Sequence, residues 1–101
     1  MGVRIRLGPA DEIADNDFKV YQLEAIDIVV YRLGDAYYAI SPFCPHAGVN
    51  LSRGEADHGI ITCPGHGLRF DVATGRCLDL PDLPLGRFDL VRENNDLFVQ
   101  F

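Results

Sequence analysis

Short runs in which apolar and polar residues alternate dominate the chain. Such period-two patterns predict β-strands with one face turned towards a core. The predicted strands are residues 3–7, 18–23, 26–33, 36–40, 59–63, 68–71, 76–80, 87–93 and 96–101. Residues 9–14 could hold a helical turn, but this segment is too short to form a stable helix alone. Eight or more short strands at close spacing predict an all-β antiparallel sandwich or barrel.

Turn-forming residues join neighbouring runs into three predicted hairpins. The turns contain the pair Gly34 and Asp35, the sequence VATG at residues 72–75, and the pair Asn94 and Asn95. Gly and Asn tolerate the positive φ angles that tight hairpin turns need. These turns therefore predict that sequential strands pair with one another.

Length and composition indicate one ordinary globular domain, which we expect to span residues 1–101. The chain has 101 residues, of which 48% are apolar and 24% are charged. No stretch approaches the roughly 18–20 apolar residues needed to cross a bilayer, and the first residues lack the apolar core of a secretory signal. We therefore expect a cytoplasmic protein with no membrane partner.

The charge of the chain argues against nucleic-acid binding. The net charge is −6, and Lys19 is the single lysine. Binding to phosphates needs clustered Lys and Arg. An acidic surface suits either plain solubility or steering towards a basic protein partner.

Two similar loops hold the candidate chemistry. The sequence CPHAGVNL begins at Cys44 and CPGHGLRF begins at Cys63, so each loop has one thiol and one imidazole among Pro and Gly residues. The spacing is Cys44-x-His46, then sixteen residues, then Cys63-x-x-His66. Two thiolates and two imidazoles in matched loops predict a metal site.

The residues alone leave two metals open, a tetrahedral zinc ion and a [2Fe–2S] cluster. Three features favour the cluster. Each loop supplies one Cys and one His, so that crossing loops could present like ligands to each iron. Gly48, Gly65 and Gly67 allow backbone N–H groups to approach bridging sulfides, and residues 41–52 and 62–68 have no charged side chain.

This motif resembles the signature of the Rieske iron–sulfur proteins. Residues 39–99 are similar to the Rieske ferredoxins that serve bacterial ring-hydroxylating oxygenases, including the flanking Pro and Gly residues and the RFD…TG hairpin. The resemblance implies a Rieske-type antiparallel β-sandwich or barrel. It also implies one [2Fe–2S] cluster per chain, in a small cluster-binding subdomain of approximately residues 41–80 formed by the two loops.

The resemblance assigns a role to each residue of the motif. Cys44 and Cys63 would bind the buried iron, and His46 and His66 would bind the outer iron through Nδ1. The segment 80–86, which contains two prolines, would cover a third side of the cluster.

Departures from the high-potential members of the family imply a low reduction potential. Those members have an extra cysteine in each loop, where this chain has Val49 and Gly65, and a serine where this chain has Leu68. Fewer hydrogen-bond donors stabilise the reduced cluster less. We expect a potential in the lower part of the Rieske range of about −150 to +300 mV.

The function implied by the resemblance is electron transfer without catalysis by the chain itself. The protein would accept one electron from a flavin-dependent reductase and pass it to a terminal aromatic ring-hydroxylating dioxygenase. We expect a monomer that docks transiently at the tip formed by His46 and His66. The acidic residues that could steer this approach are Glu55, Asp57, Asp79 and Asp82.

Two other interpretations are kept. The chain could be the small Rieske subunit of a larger oxidoreductase such as a nitrite reductase, or a zinc-stabilised interaction module. Outside the motif, Cys77 is expected to be a buried thiol, His58 is expected to be an exposed turn residue, and one of Tyr37 and Tyr38 is expected to face the core.

Overall fold

A computed structural model describes residues 3–24, 26–45, 50–65, 67–80 and 83–101. Within these ranges it contains nine strands, two single turns of 3₁₀ helix and no α-helix. The strands are β1 (Arg4–Pro9), β2 (Asp17–Gln22), β3 (Asp27–Leu33), β4 (Ala36–Ile40), β5 (Glu55–Asp57), β6 (Ile60–Thr62), β7 (Arg69–Asp71), β8 (Arg87–Glu93) and β9 (Asp96–Gln100). The 3₁₀ turns are Ala10–Glu12 and Leu51–Arg53.

The strands form one large sheet and one small sheet, both antiparallel. The large sheet has the order β1-β9-β8-β4-β3-β2, so β1 and β2 lie at its two edges. A register shift between Arg6 and Gly8 interrupts the pairing of β1 with β9. The small sheet has the order β5-β6-β7. This arrangement confirms the predicted all-β antiparallel fold.

Strand β3 separates two hydrophobic cores. Its alternating side chains point to opposite faces, so Ile28 and Val30 enter one core and Val29 and Tyr31 enter the other. All four are fully buried. Because both faces are covered, the strand reads as a continuous apolar run rather than an alternating one. The core that contains Tyr31 is also the one that contains the cysteines.

Most predicted strands are confirmed to within two residues at each end, and so are the three predicted turns. Gly34 and Asn94 adopt φ angles of 63° and 56° in the turns that precede β4 and β9. The predicted helical turn is the 3₁₀ turn at Ala10–Glu12.

The structure corrects the prediction in the segment after β7. Residues 76–80 do not form a strand; only Cys77 pairs, through an isolated bridge to Phe70. The N–H of Leu80 donates instead to the Cys77 sulfur at 3.3 Å, which bends the backbone away from β7. Strand β5 was not predicted, because the sequence EAD has one apolar side chain and two charged ones.

Tyr37 and Tyr38 pack on opposite sides of the large sheet. Both are half-buried, Tyr38 against the core that holds the cysteines and Tyr37 against the other core. Each core therefore receives one of the two rings, whereas the sequence predicted a single buried ring. Separately, none of the described residues belongs to a helix long and apolar enough to cross a membrane.

Candidate metal centre

The first motif loop has its ends fixed together. The N–H of Leu51 donates to the carbonyl oxygen of Pro42 at 2.7 Å, and Phe43 pairs with Asn50 through an isolated bridge. The side chain of Asn50 accepts a hydrogen bond from the N–H of Ser52 and so caps the 3₁₀ turn that follows. Cys44 thus follows directly after the backbone pairing that joins the two ends of this loop.

The second motif loop closes tightly around Cys63. The Cys63 N–H donates to the carbonyl oxygen of Leu68 at 2.8 Å, and the Gly67 N–H donates to the carbonyl oxygen of Cys63 at 2.9 Å. Gly67 has a φ of 71°, which a residue with a side chain adopts only with strain. The Cys63 thiol therefore lies on a backbone turn that follows directly from β6.

Gly54 brings the two loops together. It follows the 3₁₀ turn at Leu51–Arg53, and a Cβ atom added to it would lie 1.9 Å from the carbonyl oxygen of Thr62. The same Cβ would lie 3.1 Å from Cδ of Pro64. No other residue can occupy this position without moving the backbone of one loop away from the other.

Both loop thiols belong to one buried environment that suits a [2Fe–2S] cluster. Cys44 and Cys63 are each 1% exposed and pack in the same core. The described residues of the two loops contain no charged side chain. Buried thiolates without competing charges fit ferric ions and sulfide, and they limit access of water to a redox centre.

His46 and His66 lie outside the described residues, as do Gly48 and Val49. Among the residues that are described, no group of three or more His, Cys, Asp or Glu could hold a metal ion. The set of Cys44, His46, Cys63 and His66 therefore stays a prediction of the sequence, for which the structure supplies the two buried thiols.

Cys77 is a third thiol in the same core, and its predicted burial is confirmed. It is fully buried, and its sulfur accepts the hydrogen bond from the Leu80 N–H. A thiol that packs and accepts from its own chain is a small apolar residue. It therefore provides a matched control for the two motif cysteines.

An ion pair fixes the segment that leads from β7 towards the proline-containing loop. Asp79 accepts hydrogen bonds from the Arg69 guanidinium at 2.9 Å and from the Arg69 N–H at 2.9 Å. The hydrogen bonds to the Arg69 side chain and then to its N–H hold the pKa of Asp79 below its ordinary value. The carboxylate thus stays ionised at neutral pH and holds the segment around Asp79 against β7.

The second half of the proline-containing loop is tied to both sides of the site. The Leu85 N–H donates to the carbonyl oxygen of Gly75 at 2.6 Å, and the Ser41 N–H donates to that of Gly86 at 2.8 Å. Ser41 precedes the first motif loop. Pro84 is exposed, and Pro81 lies outside the described residues.

Three large apolar side chains remain exposed beside these loops. Phe43, Leu78 and Leu80 are 52%, 45% and 46% exposed, and we call them the apolar rim. Phe43 precedes Cys44 directly, and the two leucines flank Asp79. Contiguous exposed apolar side chains are typical of a protein-binding surface, so these three side chains are candidates for contact with a partner.

The acidic residues expected to steer a partner differ in their surroundings. Asp57 and Asp79 are engaged in hydrogen bonds within the chain, Glu55 is exposed, and Asp82 lies outside the described residues. His58 is an exposed turn residue, as predicted, with Nδ1 at 2.8 Å from Oδ1 of Asp57.

Comparison with protein families identifies the kind of domain. The family model described as the Rieske [2Fe–2S] domain matches residues 3–89. The chain is 37% identical to ferredoxin CarAc of Metapseudomonas resinovorans over 82 residues, which are 80% of this chain and 77% of that protein.

Solved structures show the same relationship. The ferredoxin of carbazole 1,9a-dioxygenase from Nocardioides aromaticivorans IC177 superposes with a TM-score of 0.86 and 32% identity, covering 96% of each chain. A ferredoxin in a complex of reduced oxygenase and oxidised ferredoxin of carbazole 1,9a-dioxygenase superposes with a TM-score of 0.85 and 30% identity, covering 96% of this chain and 92% of that one. A nitrite reductase small subunit from Mycobacterium tuberculosis, at 20% identity and a TM-score of 0.81 over 100% of this chain and 96% of that one, shares the fold.

We expect Gly54→Ala to damage the site because its Cβ would overlap the Thr62 carbonyl oxygen. The predicted loss of stability is about 1–3 kcal/mol, with less iron bound per chain. The control is Gly34→Ala, which meets no atom within 4 Å but has a positive φ; we expect it to cost about 1 kcal/mol and to leave iron content unchanged. Urea unfolding and iron analysis measure both. Equal iron loss in the two variants would contradict a role for the close approach.

We expect the clamp between Arg69 and Asp79 to weaken in acid. The pKa of Asp79 is lowered in the folded chain, so its ionised form stabilises the fold. This contribution to the free energy of unfolding is complete above the ordinary Asp pKa of about 4 and is lost as pH falls through the lowered pKa. Asp79→Asn should therefore destabilise the protein at pH 7, and the difference from the wild type should shrink below about pH 4. The measurement is urea unfolding at low salt, with the exposed Asp89→Asn as control. A difference that does not change with pH would contradict the assignment.

Proposed function

Because the chain belongs to the Rieske [2Fe–2S] domain family, we propose that it is a ferredoxin that passes single electrons to a terminal ring-hydroxylating oxygenase. The observation that supports this most directly is the pair of buried thiols, Cys44 and Cys63, on two uncharged loops that Gly54 holds together. Relatives with this fold over nearly the whole chain are electron-transfer components of oxygenase systems and not catalysts themselves. The proposed role of the chain is therefore that of an electron carrier and not that of an enzyme.

We propose that Cys44 and Cys63 bind one iron of the cluster and that His46 and His66 bind the other. When bound, such a cluster accepts and releases one electron at a potential set by charge, hydrogen bonds and exposure. The contribution of the chain is to keep both thiols dry, to exclude charged side chains from the described loop positions, and to hold the loops by the bonds described above.

The proposed low potential is supported by what the second loop lacks. Leu68 is half-buried against the core, and its carbonyl oxygen receives the Cys63 N–H. It has no hydroxyl group to donate to a sulfide. Fewer donors around the sulfides favour the lower part of the Rieske range, between about −150 and +300 mV.

The proposed docking surface consists of the motif tip and the apolar rim of Phe43, Leu78 and Leu80. The similar carbazole dioxygenase ferredoxin has been captured with its oxygenase, which supports an oxygenase as one partner. A flavin-dependent reductase is the proposed electron donor. A monomer with a small apolar contact suits both, since a carrier must leave one partner to reach the other.

Of the alternatives, the small subunit of a nitrite reductase shares the fold at an identity that supports no functional transfer. Membership in a [2Fe–2S] family disfavours the zinc module. A single domain over residues 1–101, a subdomain at residues 41–80 and a cytoplasmic location stay predictions of the sequence.

The ligand assignment predicts opposite results for three buried thiols. Cys44→Ala and Cys63→Ala should abolish the visible absorption and the electron paramagnetic resonance signal of the reduced cluster, because each removes an iron ligand. Cys77→Ala, at an equally buried thiol, should keep both signals. Loss of the cluster in Cys77→Ala, or its retention in Cys63→Ala, would overturn the assignment.

Wild-type film voltammetry from pH 6 to 10 should show one reversible wave in the lower part of the Rieske range of about −150 to +300 mV.

The docking proposal predicts slower electron transfer without a change in potential. Leu78→Ser combined with Leu80→Ser should reduce the second-order rate constant for oxygenase reduction by about tenfold, because the exchange removes apolar area that the proposed contact would bury. The control is Phe101→Ser, at a phenylalanine of 45% exposure that ends the chain after β9. Stopped-flow kinetics with the carbazole 1,9a-dioxygenase oxygenase measures both. Equal rates for the rim variant and the control would contradict the proposed surface.

A further inference from the structure

The turn between β5 and β6 is held by side chains of the large sheet and its connections. His58 and Gly59 form this turn with φ angles of 49° and 82°. The His58 N–H donates to Oδ1 of Asn16 at 2.6 Å, and the Gly59 N–H donates to the Tyr31 hydroxyl at 3.2 Å. Both backbone donors of the turn are therefore satisfied by residues that lie 42 and 28 positions upstream in the sequence.

Asn16 is itself fixed to the large sheet. It has a φ of 58°, and its N–H donates to the carbonyl oxygen of Arg32 at 3.0 Å. Its Oδ1 also accepts the hydroxyl proton of Tyr31 at 2.5 Å. Tyr31 is fully buried in β3, so the acceptor is attached at two points to a strand that does not move freely.

The chemistry of the partners determines the orientation of the Asn16 amide. A backbone N–H can only donate, so the atom that faces His58 must be oxygen. An ionised carboxylate can only accept, so the atom that faces Asp57 Oδ1 at 2.8 Å must be the amide nitrogen. This hydrogen bond, followed by the one from His58, holds the pKa of Asp57 below its ordinary value. Asn16 is therefore matched to both partners, and Asp in its place would be mismatched to one.

The pinned turn and the two motif loops lie at opposite ends of one short hairpin. β5 and β6 have three residues each; Gly54 precedes β5 and Cys63 follows β6. The register pairs Asp57 with Ile60 and Glu55 with Thr62, so the turn at His58 and the contact of Thr62 with Gly54 belong to one three-residue ladder.

We propose that Asn16 is a positioning residue that fixes the hairpin bearing Cys63 to the large sheet and thereby sets the geometry of the metal centre. This inference rests on the proposed function for its electron-transfer meaning. The residue touches no ligand itself and acts through the turn at His58 and Gly59.

The test exchanges the donor and the acceptor between Asn16 and Asp57. In Asn16→Asp, a second carboxylate faces Asp57 in place of the amide nitrogen. Combining this change with Asp57→Asn restores one donor and one acceptor between the two positions, and the net charge equals that of the wild type. The matched control is Asn94→Asp, at an asparagine with a φ of 56° in the exposed turn before β9. Holoprotein is examined by hydrogen exchange with mass spectrometry, by the rate of cluster loss to a chelator, and by the paramagnetic resonance spectrum of the reduced state.

We expect Asn16→Asp to raise exchange in residues 55–62 by about tenfold, the scale of one lost hydrogen bond and the repulsion between two facing carboxylates, while residues 87–100 are unchanged. Cluster loss should be several-fold faster and the resonance line broader, because Cys63 is held less uniformly. The double variant should return each value to within about twofold of the wild type, as expected for directly coupled partners. Asn94→Asp should change none of them.

Several results would overturn the proposal. They are equal exchange in Asn16→Asp and Asn94→Asp, faster exchange spread evenly over both sheets, or no rescue in the double variant. If Asn16→Asp does not fold, Tyr31→Phe takes its place, since it removes one bond to Asn16 and one from Gly59; unchanged exchange in residues 55–62 of this variant would equally overturn the proposal. Wild-type protein without a [2Fe–2S] spectrum would instead overturn the proposed function, and so the two failures are distinguishable.

Discussion

The close approach of Gly54 to the carbonyl oxygen of Thr62 is the constraint on which the candidate site depends. Two loops that are separate in sequence can present buried thiols to one another only if their backbones come within the distance that a missing side chain allows. Each loop is closed by its own hydrogen bonds, at Pro42 and Leu51 in one case and at Cys63 and Leu68 in the other. Local closure and mutual contact together keep the two buried thiols, Cys44 and Cys63, in one core.

Strand β3 explains how a small chain supports such a space. If the large sheet had only one buried face, one of the two cores would be missing, and the motif loops could not pack against buried side chains of β3. Here the strand is apolar on both faces, so Val29 and Tyr31 pack in the core that contains the cysteines while Ile28 and Val30 pack in the other core. The site is therefore built on the most buried strand of the molecule.

Patterns within a few residues made much of the fold predictable. Alternation and turn residues predict most strands, and the matched Cys and His spacing predicts the two loops. Strand β5 escaped prediction because its pairing with β6, and not its own side chains, makes it a strand. The prediction of a strand at residues 76–80 was wrong because the hydrogen bonds to the Cys77 sulfur and to Asp79 direct the backbone away from strand pairing. The proposed role of Asn16 has no local signal, since its partners in the turn, Asp57 and His58, lie 41 and 42 residues away.

The two edges of the large sheet have a consequence for how the protein behaves at high concentration. β1 and β2 are the edge strands of this sheet, and the outer backbone row of an edge strand can template the addition of strands from other molecules. The outward side chains Arg4, Arg6 and Lys19 are charged, and the register shift after Arg6 makes β1 irregular. A neighbouring molecule would have to bury these charges to extend the sheet, so both edges disfavour the addition of a further strand.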